Sequence, residues 1–383
     1  MNFVSKELLE KHFVSKELLE KHFVSKELLE KHNVINGIFD YRNFDIDEEM
    51  LQIYSYFESS FVSLYATCAS AFNLKDCCFY IKDNNTCNAF ASNPKGYNII
   101  GITNAYPILL SKKLDKKYFK SITLAGINND KPLEEAYIDL YEDKEFDIGK
   151  FMIDCSIEFT FRHEFQHIMQ LNSSKFGEND FLLQENPEKD NFDIRKHAWE
   201  FDADRMASYE VLKHVFRVHS NLKVKSDEKL KCLLYLGCSS MIITKCLFYF
   251  RVMNQLESHL SVRKEEFYTK EGSHPHPLVR CMNIMEYYFD NITDDFPRLE
   301  VNSQELLNNT LAVTKLYFDS LIPTHDTMSD LFGDLGKHLD TINNYNQELY
   351  EAAIQDEAIR NLLQSRKIQF EDIQSFDVDD LSK

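Results

Sequence analysis

The sequence predicts an α+β fold that is predominantly helical and contains one small β-sheet. From residue 151 to residue 365, apolar positions recur at helical spacing with few interruptions. The prolines of this half fall between the proposed helices or at the first position of one, where a missing backbone N–H is tolerated. Short apolar runs bounded by Asn, Asp, Lys and Pro occur earlier in the chain and indicate strands.

In chain order, helical periodicity first predicts a helix over 48–72. Short apolar runs then occur at 79–81 and 98–102, and the segments near 122–125 and 136–140 predict the strands of the small sheet. The second half is expected to form helices at 151–172, 192–220, 228–262, 277–291, 303–321 and 328–365, followed by an acidic tail.

The composition is that of an acidic, soluble globular protein. The 383 residues are 44% hydrophobic and 27% charged, with a formal net charge of −19. We find no basic stripe that would override this charge, so no nucleic-acid partner is expected. The nine cysteines are scattered and form no C-x-x-C pair, which favours neither a disulfide framework nor a cysteine zinc site. Because no secretory signal opens the chain either, the predicted compartment is the cytoplasm.

One apolar segment, Cys232–Phe250, is about as long as a membrane span. Its middle contains Lys245, Thr244 and two serines, and a charged side chain is costly inside a bilayer. We therefore expect a buried core helix, with a membrane segment as the alternative.

The ten-residue unit FVSKELLEKH occurs three times without change between Phe3 and His32. The unit consists largely of good helix formers, so residues 1–32 are expected to form a helical arm. Its period matches none of the common solenoid repeats, which favours in-frame duplication of a helical segment. The alternative is a length-variable arm that binds a protein partner.

Residues 163–167 read His-Glu-Phe-Gln-His, an H-E-x-x-H pattern. The surrounding segment carries an apolar stripe at helical spacing, formed by Ile157, Phe161, Phe165 and Ile168. Histidines four apart share a helix face, so the imidazoles of His163 and His167 can reach one zinc ion. Glu164 lies about 100° around the helix and can act as a general base without being a ligand. The alternative is a helix with two surface histidines.

A catalytic zinc site usually has three protein ligands and leaves one position for water. The H-E-x-x-H-x-x-G-x-x-H extension is absent, because Gln170 and Ser173 occupy its last two named positions. The third ligand must therefore lie further along the chain.

Glu200 and Asp204 share one face of the next predicted helix. We expect Glu200 to complete a His₂Glu zinc site and Asp204 to accept a hydrogen bond from a ligand imidazole. His197 and Asp202 are the alternative third ligands.

A further element reads Ser273-His274-Pro275-His276-Pro277, with Arg280 three residues later. The two prolines hold the chain extended, which suits a rigid loop that presents His274 or His276 to a polarised carbonyl oxygen. Arg280 and Tyr209 are further candidates for stabilising the oxyanion or binding the substrate. The alternative is the start of a helix with solvated histidines.

These three pieces, in this order, resemble the gluzincin metallopeptidases, in particular the Lit-type phage-exclusion peptidases and soluble HtpX-like peptidases. HtpX-like chains carry H-E-x-x-H, then E-x-x-A-D, then S/T-H-P-x-x-x-x-R. The matching residues are His163 to His167, then Glu200, Ala203 and Asp204, then Ser273, His274, Pro275 and Arg280. The resemblance covers residues 95–295 and implies a zincin-like core, a zinc ion and cleavage of peptide bonds in proteins.

The membrane spans common in the HtpX branch are not evident here, which favours the Lit-like assignment. That branch implies a conditional peptidase, triggered in phage defence or stress, that acts on a host protein such as a translation factor.

The predicted organisation has three parts: a repeat arm over 1–32, a zinc metallopeptidase domain over 33–300, and a C-terminal helical region with an acidic tail over 301–383. The predicted function is that of a zinc-dependent endopeptidase whose partner is a protein or peptide substrate. Two alternatives stay open, a zinc hydrolase of a non-peptide substrate and a non-catalytic partner-binding scaffold with a structural metal.

Overall fold

A computed structural model of the chain describes residues 14–112, 114, 130–174, 182–184, 192–250, 266–322 and 327–365. Its α-helices are α1 (Lys16–His22), α2 (Lys26–Lys31), α3 (Glu48–Phe72), α4 (Ala105–Ser111), α5 (Lys131–Glu142), α6 (Ile148–Ser173), α7 (Ile194–Asn221), α8 (Asp227–Tyr249), α9 (Pro277–Asp295), α10 (Ser303–Leu321), α11 (Thr327–Gln355) and α12 (Glu357–Ser365). Its strands are β1 (Cys77–Lys82), β2 (Ala89–Ser92), β3 (Asn98–Thr103) and β4 (Leu182–Gln184). The predicted class, mostly helical with a small sheet, is confirmed.

The first of two compact units comprises the described residues of Met1–Ser111, Thr160–Lys189 and Leu247–Lys264. It contains the sheet, whose strand order is β1-β3-β2-β4. Strand β1 runs parallel to β3, and β2 is antiparallel to both of its neighbours. The short apolar runs at 79–81 and 98–102 thus lie in β1 and β3, whereas the predicted strands are those at 122–125 and 136–140.

An aromatic layer in this unit joins helix α3 to the sheet and to the second half of α6. The ring of Phe61 stacks on Phe79 of β1 at 4.8 Å and meets Phe161 of α6 edge-on at 6.2 Å. The Tyr65 hydroxyl donates to the carbonyl of Asn98 at 2.9 Å. Since buried aromatic pairs contribute packing beyond their area, this layer holds the H-E-x-x-H segment against α3.

The described part of the repeats forms two short helices, α1 and α2, instead of one. Ser15 and Ser25, at the same position of successive units, accept hydrogen bonds from Leu18 N and Leu28 N and so begin a helix in each unit. Between them the Val24 N–H donates to the Cys77 carbonyl at 2.9 Å, at the edge of β1. The first copy, Phe3–His12, lies outside the described residues.

The second unit comprises the described residues of Lys112–Phe159, Asp190–Cys246 and Glu265–Lys383. Helices α7, α9 and α11 pack on one another within it. At Gly237 of α8 an added Cβ would lie 2.8 Å from Val215 Cγ2 on α7 and 3.1 Å from the Tyr288 oxygen on α9. A glycine at this position therefore lets α7 and α9 pack closely against α8. Helices α10 to α12 belong to this unit; the domain boundaries predicted at residues 32 and 300 stay predictions.

The predicted strand at 136–140 is wrong, because this segment lies in helix α5. The Asp130 side chain accepts from Leu133 N and Pro132 occupies the first turn, which are both helix-start signals. The buried residues then follow helical spacing, at Leu133, Ala136, Tyr137 and Leu140. The strand predicted at 122–125 lies outside the described residues.

The helix predicted over 328–365 is divided into α11 and α12 at Asp356. The Asp356 side chain accepts from Ile359 N at 3.0 Å, which caps a new helix. The same carboxylate lies 2.7 Å from the Arg195 guanidinium of α7. The predicted helix over 228–262 is described as far as Tyr249, and residues 251–265 lie outside the described part.

Helix α8 has the length and composition of a membrane span, with a mean hydropathy of 1.5 over its most apolar stretch, yet all of that stretch is buried inside the protein. Its buried hydroxyls bond within the helix, for example Ser239 to the Tyr235 carbonyl at 2.7 Å and Thr244 to the Ser240 carbonyl at 2.9 Å. This burial agrees with the predicted core helix.

Candidate metal centre

The two motif histidines face each other on helix α6. Their Nε2 atoms are 3.0 Å apart and their rings are perpendicular, and each side chain is 1% exposed. Two ring nitrogens bound to one tetrahedral zinc ion would lie about 3.3 Å apart. His163 and His167 therefore have nearly the separation that shared coordination requires.

Glu200 of helix α7 completes a group of three potential ligands. One ligand atom from each of His163, His167 and Glu200 lies within 4.8 Å of the others, and all three residues are buried. Among the residues that the structure describes, this is the group of three or more His, Cys, Asp or Glu side chains whose ligand atoms lie this close together. Two nitrogens and a carboxylate oxygen are a donor set that suits zinc, so this group could hold a metal ion.

Glu164, the predicted base, is 1% exposed and follows His163 directly on the same helix. The apolar stripe that was predicted to anchor this helix is buried, with exposures of 2%, 0%, 3% and 0% for Ile157, Phe161, Phe165 and Ile168. A rigid helix that is fixed on its apolar side keeps the positions of its polar side chains constant.

The Glu200 carboxylate belongs to a buried ionic network in the second unit. Its Oε2 lies 2.8 Å from an Arg280 guanidinium nitrogen, and its Oε1 lies 3.1 Å from His274 Nε2. Arg280 also makes two bonds to Asp204, at 2.7 and 2.9 Å, and the Lys245 ammonium lies 3.0 Å from Asp204 Oδ1. Two carboxylates thus face two basic side chains, which meets the need of buried charged groups for partners.

The Asp204 carboxylate thus makes hydrogen bonds and ion pairs with Arg280 and Lys245. Its predicted hydrogen bond to a ligand imidazole stays a prediction.

The two histidines of the Ser-His-Pro-His-Pro segment have different surroundings. His274 is 8% exposed; its Nδ1 lies 2.9 Å from the Ser273 hydroxyl, while its Nε2 approaches Glu200. His276 is the N-cap of α9, where its Nδ1 accepts from Leu278 N at 3.2 Å. This histidine is buried, whereas the helix-start alternative expected solvated histidines. His274 therefore contacts a candidate ligand, and His276 begins a helix.

His197, an alternative third ligand, is fully buried and has two other partners. Its Nε2 lies 3.2 Å from the Gly272 carbonyl, and the Tyr345 hydroxyl lies 2.8 Å from its Nδ1. Burial lowers the pKa of His197 to about 4, so the ring is neutral near pH 7. Its Nε2 must donate to the carbonyl, which leaves Nδ1 to accept from tyrosine.

The two remaining candidates from the sequence, Asp202 and Tyr209, both lie on helix α7. Asp202 is 9% exposed on helix α7. The Tyr209 ring lies 4.2 Å from the Lys213 ammonium, a contact on the same helix. The substrate-binding role predicted for Tyr209 stays a prediction.

Two residues of this region were not assigned a role from the sequence. In the sequence, Lys245 stands out as a charge in an apolar helix, and this is the signal that could have identified it, because a buried lysine needs a carboxylate partner. In the sequence, Gln170 is a departure from the longer zinc motif. Its Oε1 lies 2.7 Å from His167 Nδ1.

Comparison with protein-family models, with curated proteins and with solved structures finds no match for this chain. The resemblance to gluzincin peptidases accordingly rests on the three motifs alone.

Proposed function

We propose that the protein is a zinc-dependent endopeptidase that hydrolyses peptide bonds in a cytoplasmic protein, in the manner of the Lit-type gluzincins. The observation that carries the proposal is the buried group of His163, His167 and Glu200, with Glu164 beside it. These are the donors of a His₂Glu catalytic zinc site, and the residue that follows His163 carries a carboxylate that could accept a proton.

The number of ligands supports catalysis over a structural metal. A structural zinc site usually closes all four positions with protein ligands, mostly Cys and His. In the described part of the chain the group contains three ligands, and no cysteine is among them. A fourth position would then be available to water.

In the proposed reaction, a zinc ion held by the three ligands would supply the Lewis acidity that acidifies water and polarises the scissile carbonyl. Glu164 takes the proton of the attacking water and returns it to the leaving amine. Arg280 and His274, which contact the two oxygens of Glu200, orient this ligand. The role of His274 in stabilising the oxyanion stays a prediction.

The proposal predicts that Glu164→Gln retains zinc and loses cleavage by at least about 10²-fold, because the general base is removed while the three ligands remain. The matched control is Glu158→Gln, a buried glutamate on the same helix that has no part in the proposed mechanism (5% exposed). Both variants and the wild type are analysed for bound zinc and expressed in cells in which new protein N-termini are mapped.

New termini in the wild type and in Glu158→Gln, but not in Glu164→Gln, would support the endopeptidase. Stoichiometric zinc in all three proteins without new termini in any would contradict it. That second result would instead favour the scaffold or a non-peptide substrate.

A further inference from the structure

Gln170 is a fully buried amide on helix α6, one turn after the second motif histidine. Its Oε1 lies 2.7 Å from His167 Nδ1, and the other ring nitrogen of His167 faces His163 at 3.0 Å. An amide oxygen can only accept a hydrogen bond, so the proton of a neutral His167 ring must be on Nδ1. The Nε2 lone pair is then directed toward the candidate metal position.

This choice of tautomer matters because a metal binds only an unprotonated ring nitrogen. A neutral imidazole without a fixed acceptor distributes its proton between Nδ1 and Nε2, and the second form cannot bind metal through Nε2. Acceptors that hold the far ring nitrogen of a metal ligand typically contribute 10- to 100-fold to metal affinity.

The sequence suggested Asp204 for such a role, but the described bonds of Asp204 run to two cations. Both of its oxygens contact Arg280, and Oδ1 also contacts Lys245. Gln170, by contrast, is on the same helix as His167 and three residues further on, so the bond depends only on helical geometry.

From these observations we infer that Gln170 is a positioning residue which fixes His167 as the Nδ1–H tautomer and so raises the zinc affinity of the site. The inference rests on the proposed zinc site, although it does not depend on the substrate. A carboxylate acceptor makes the bound imidazole a stronger ligand than an amide acceptor does, and a thioether provides no comparable acceptor. Zinc affinity is therefore expected to rise in the order Met, Gln, Glu at position 170.

The test measures zinc affinity of the full chain at pH 7.5 by competition with a chromogenic chelator. Gln170→Met, which keeps the volume and removes the acceptor, is expected to weaken zinc binding at least tenfold. Gln170→Glu is expected to bind zinc at least as tightly as the wild type. The visible spectrum of the cobalt-substituted proteins reports whether the remaining ligands still bind the ion.

Thr160→Val is the matched control, because it also removes one buried hydrogen bond from α6, the 2.9 Å contact between Thr160 Oγ1 and the Tyr106 hydroxyl. The melting temperatures of the metal-free proteins show how far each variant destabilises the fold. Thr160→Val is expected to keep zinc affinity within twofold of the wild type even where its melting temperature falls.

Three results would overturn the inference: zinc affinity of Gln170→Met within twofold of wild type, a tenfold weaker affinity in Gln170→Glu, or wild-type protein that binds no zinc. If Gln170→Met does not fold, the Gln170→Glu measurement decides alone. Tight zinc binding with the expected order, but without any cleavage by the wild type, would refute the endopeptidase and leave the role of Gln170 supported.

Discussion

At the residue scale, the chain concentrates buried charge around Glu200 in the second unit. Glu200, Asp204, Lys245 and Arg280 are each at most 5% exposed, and their ion pairs are between 2.7 and 3.0 Å long. A buried ion pair adds little net stability against an apolar alternative, because desolvation offsets the attraction. What the network provides is a fixed geometry for a carboxylate that would otherwise have to be solvated.

Arg280→Met tests this network, because it leaves two buried carboxylates against one ammonium. The free energy of unfolding of the metal-free protein is expected to fall by about 3–5 kcal/mol, the usual cost of removing one member of a buried pair. Lys315→Met, which removes a partly exposed pair with Asp319 on α10, is expected to cost no more than about 0.5 kcal/mol. Urea unfolding measures both, and similar losses in the two variants would contradict the network's role.

At the element scale, helix α7 is tied to its neighbours by His197. The ring joins this helix to the Gly272 carbonyl in the segment before α9 and to Tyr345 on α11. His274, which contacts Glu200, follows Gly272 by two residues. His197 therefore holds the segment that carries His274 against helix α7. Because the bond accepted from Tyr345 needs an unprotonated Nδ1, this contact depends on the protonation state of His197.

The pKa of His197 predicts a loss of stability in acid. Because burial lowers the pKa from 6.5 to about 4, the unfolded chain binds a proton below about pH 6.5 that the folded chain does not. The contribution of neutral His197 to the free energy of unfolding is complete above pH 6.5. It is lost as the pH falls toward 4, by about 3 kcal/mol in total.

Urea unfolding of the metal-free protein at pH 7.5, 5.5 and 4.5 measures this loss. His197→Gln removes the titrating ring, so the variant should be less stable at pH 7.5 but lose less stability on acidification. Equal losses in both proteins would show that other groups cause the pH dependence.

At the scale of the whole molecule, identical repeats occupy different environments. His22, at the end of the second copy, is 2% exposed and its Nδ1 lies 2.6 Å from the Leu74 carbonyl. His32 ends the third copy and is exposed, while Leu29 of that copy is fully buried in a cluster with Tyr80 and Phe90. The surroundings along the chain, and not the unit itself, decide which of its residues become core.

Deletion of residues 3–12 leaves two identical copies and every contact described for them. This deletion is therefore expected to lower the free energy of unfolding by less than the loss of two copies does. Deletion of residues 3–22 leaves one copy, which removes α1 and the buried bond of His22, and is expected to cost about 1–3 kcal/mol. Urea unfolding compares the two, and equal costs would show that the first copy also contributes.

The sequence alone determined most of the helices and the motif pair, because both follow from local periodicity. Helix α10 was predicted with its observed bounds, Ser303–Leu321, and the spacing of four placed His163 and His167 on one helix face. The sequence prediction is wrong for helix α5, because its few apolar residues are compatible with a strand and only the capping by Asp130 and the position of Pro132 indicate a helix.

Only the tertiary structure decided which partners hold the site. Asp204 meets Lys245 of α8 and Arg280 of α9, and no spacing within one helix encodes a contact between residues so far apart along the chain. The physical reason is that backbone geometry fixes neighbours three or four residues apart, whereas distant partners depend on how helices pack and on the need to pair every buried charge.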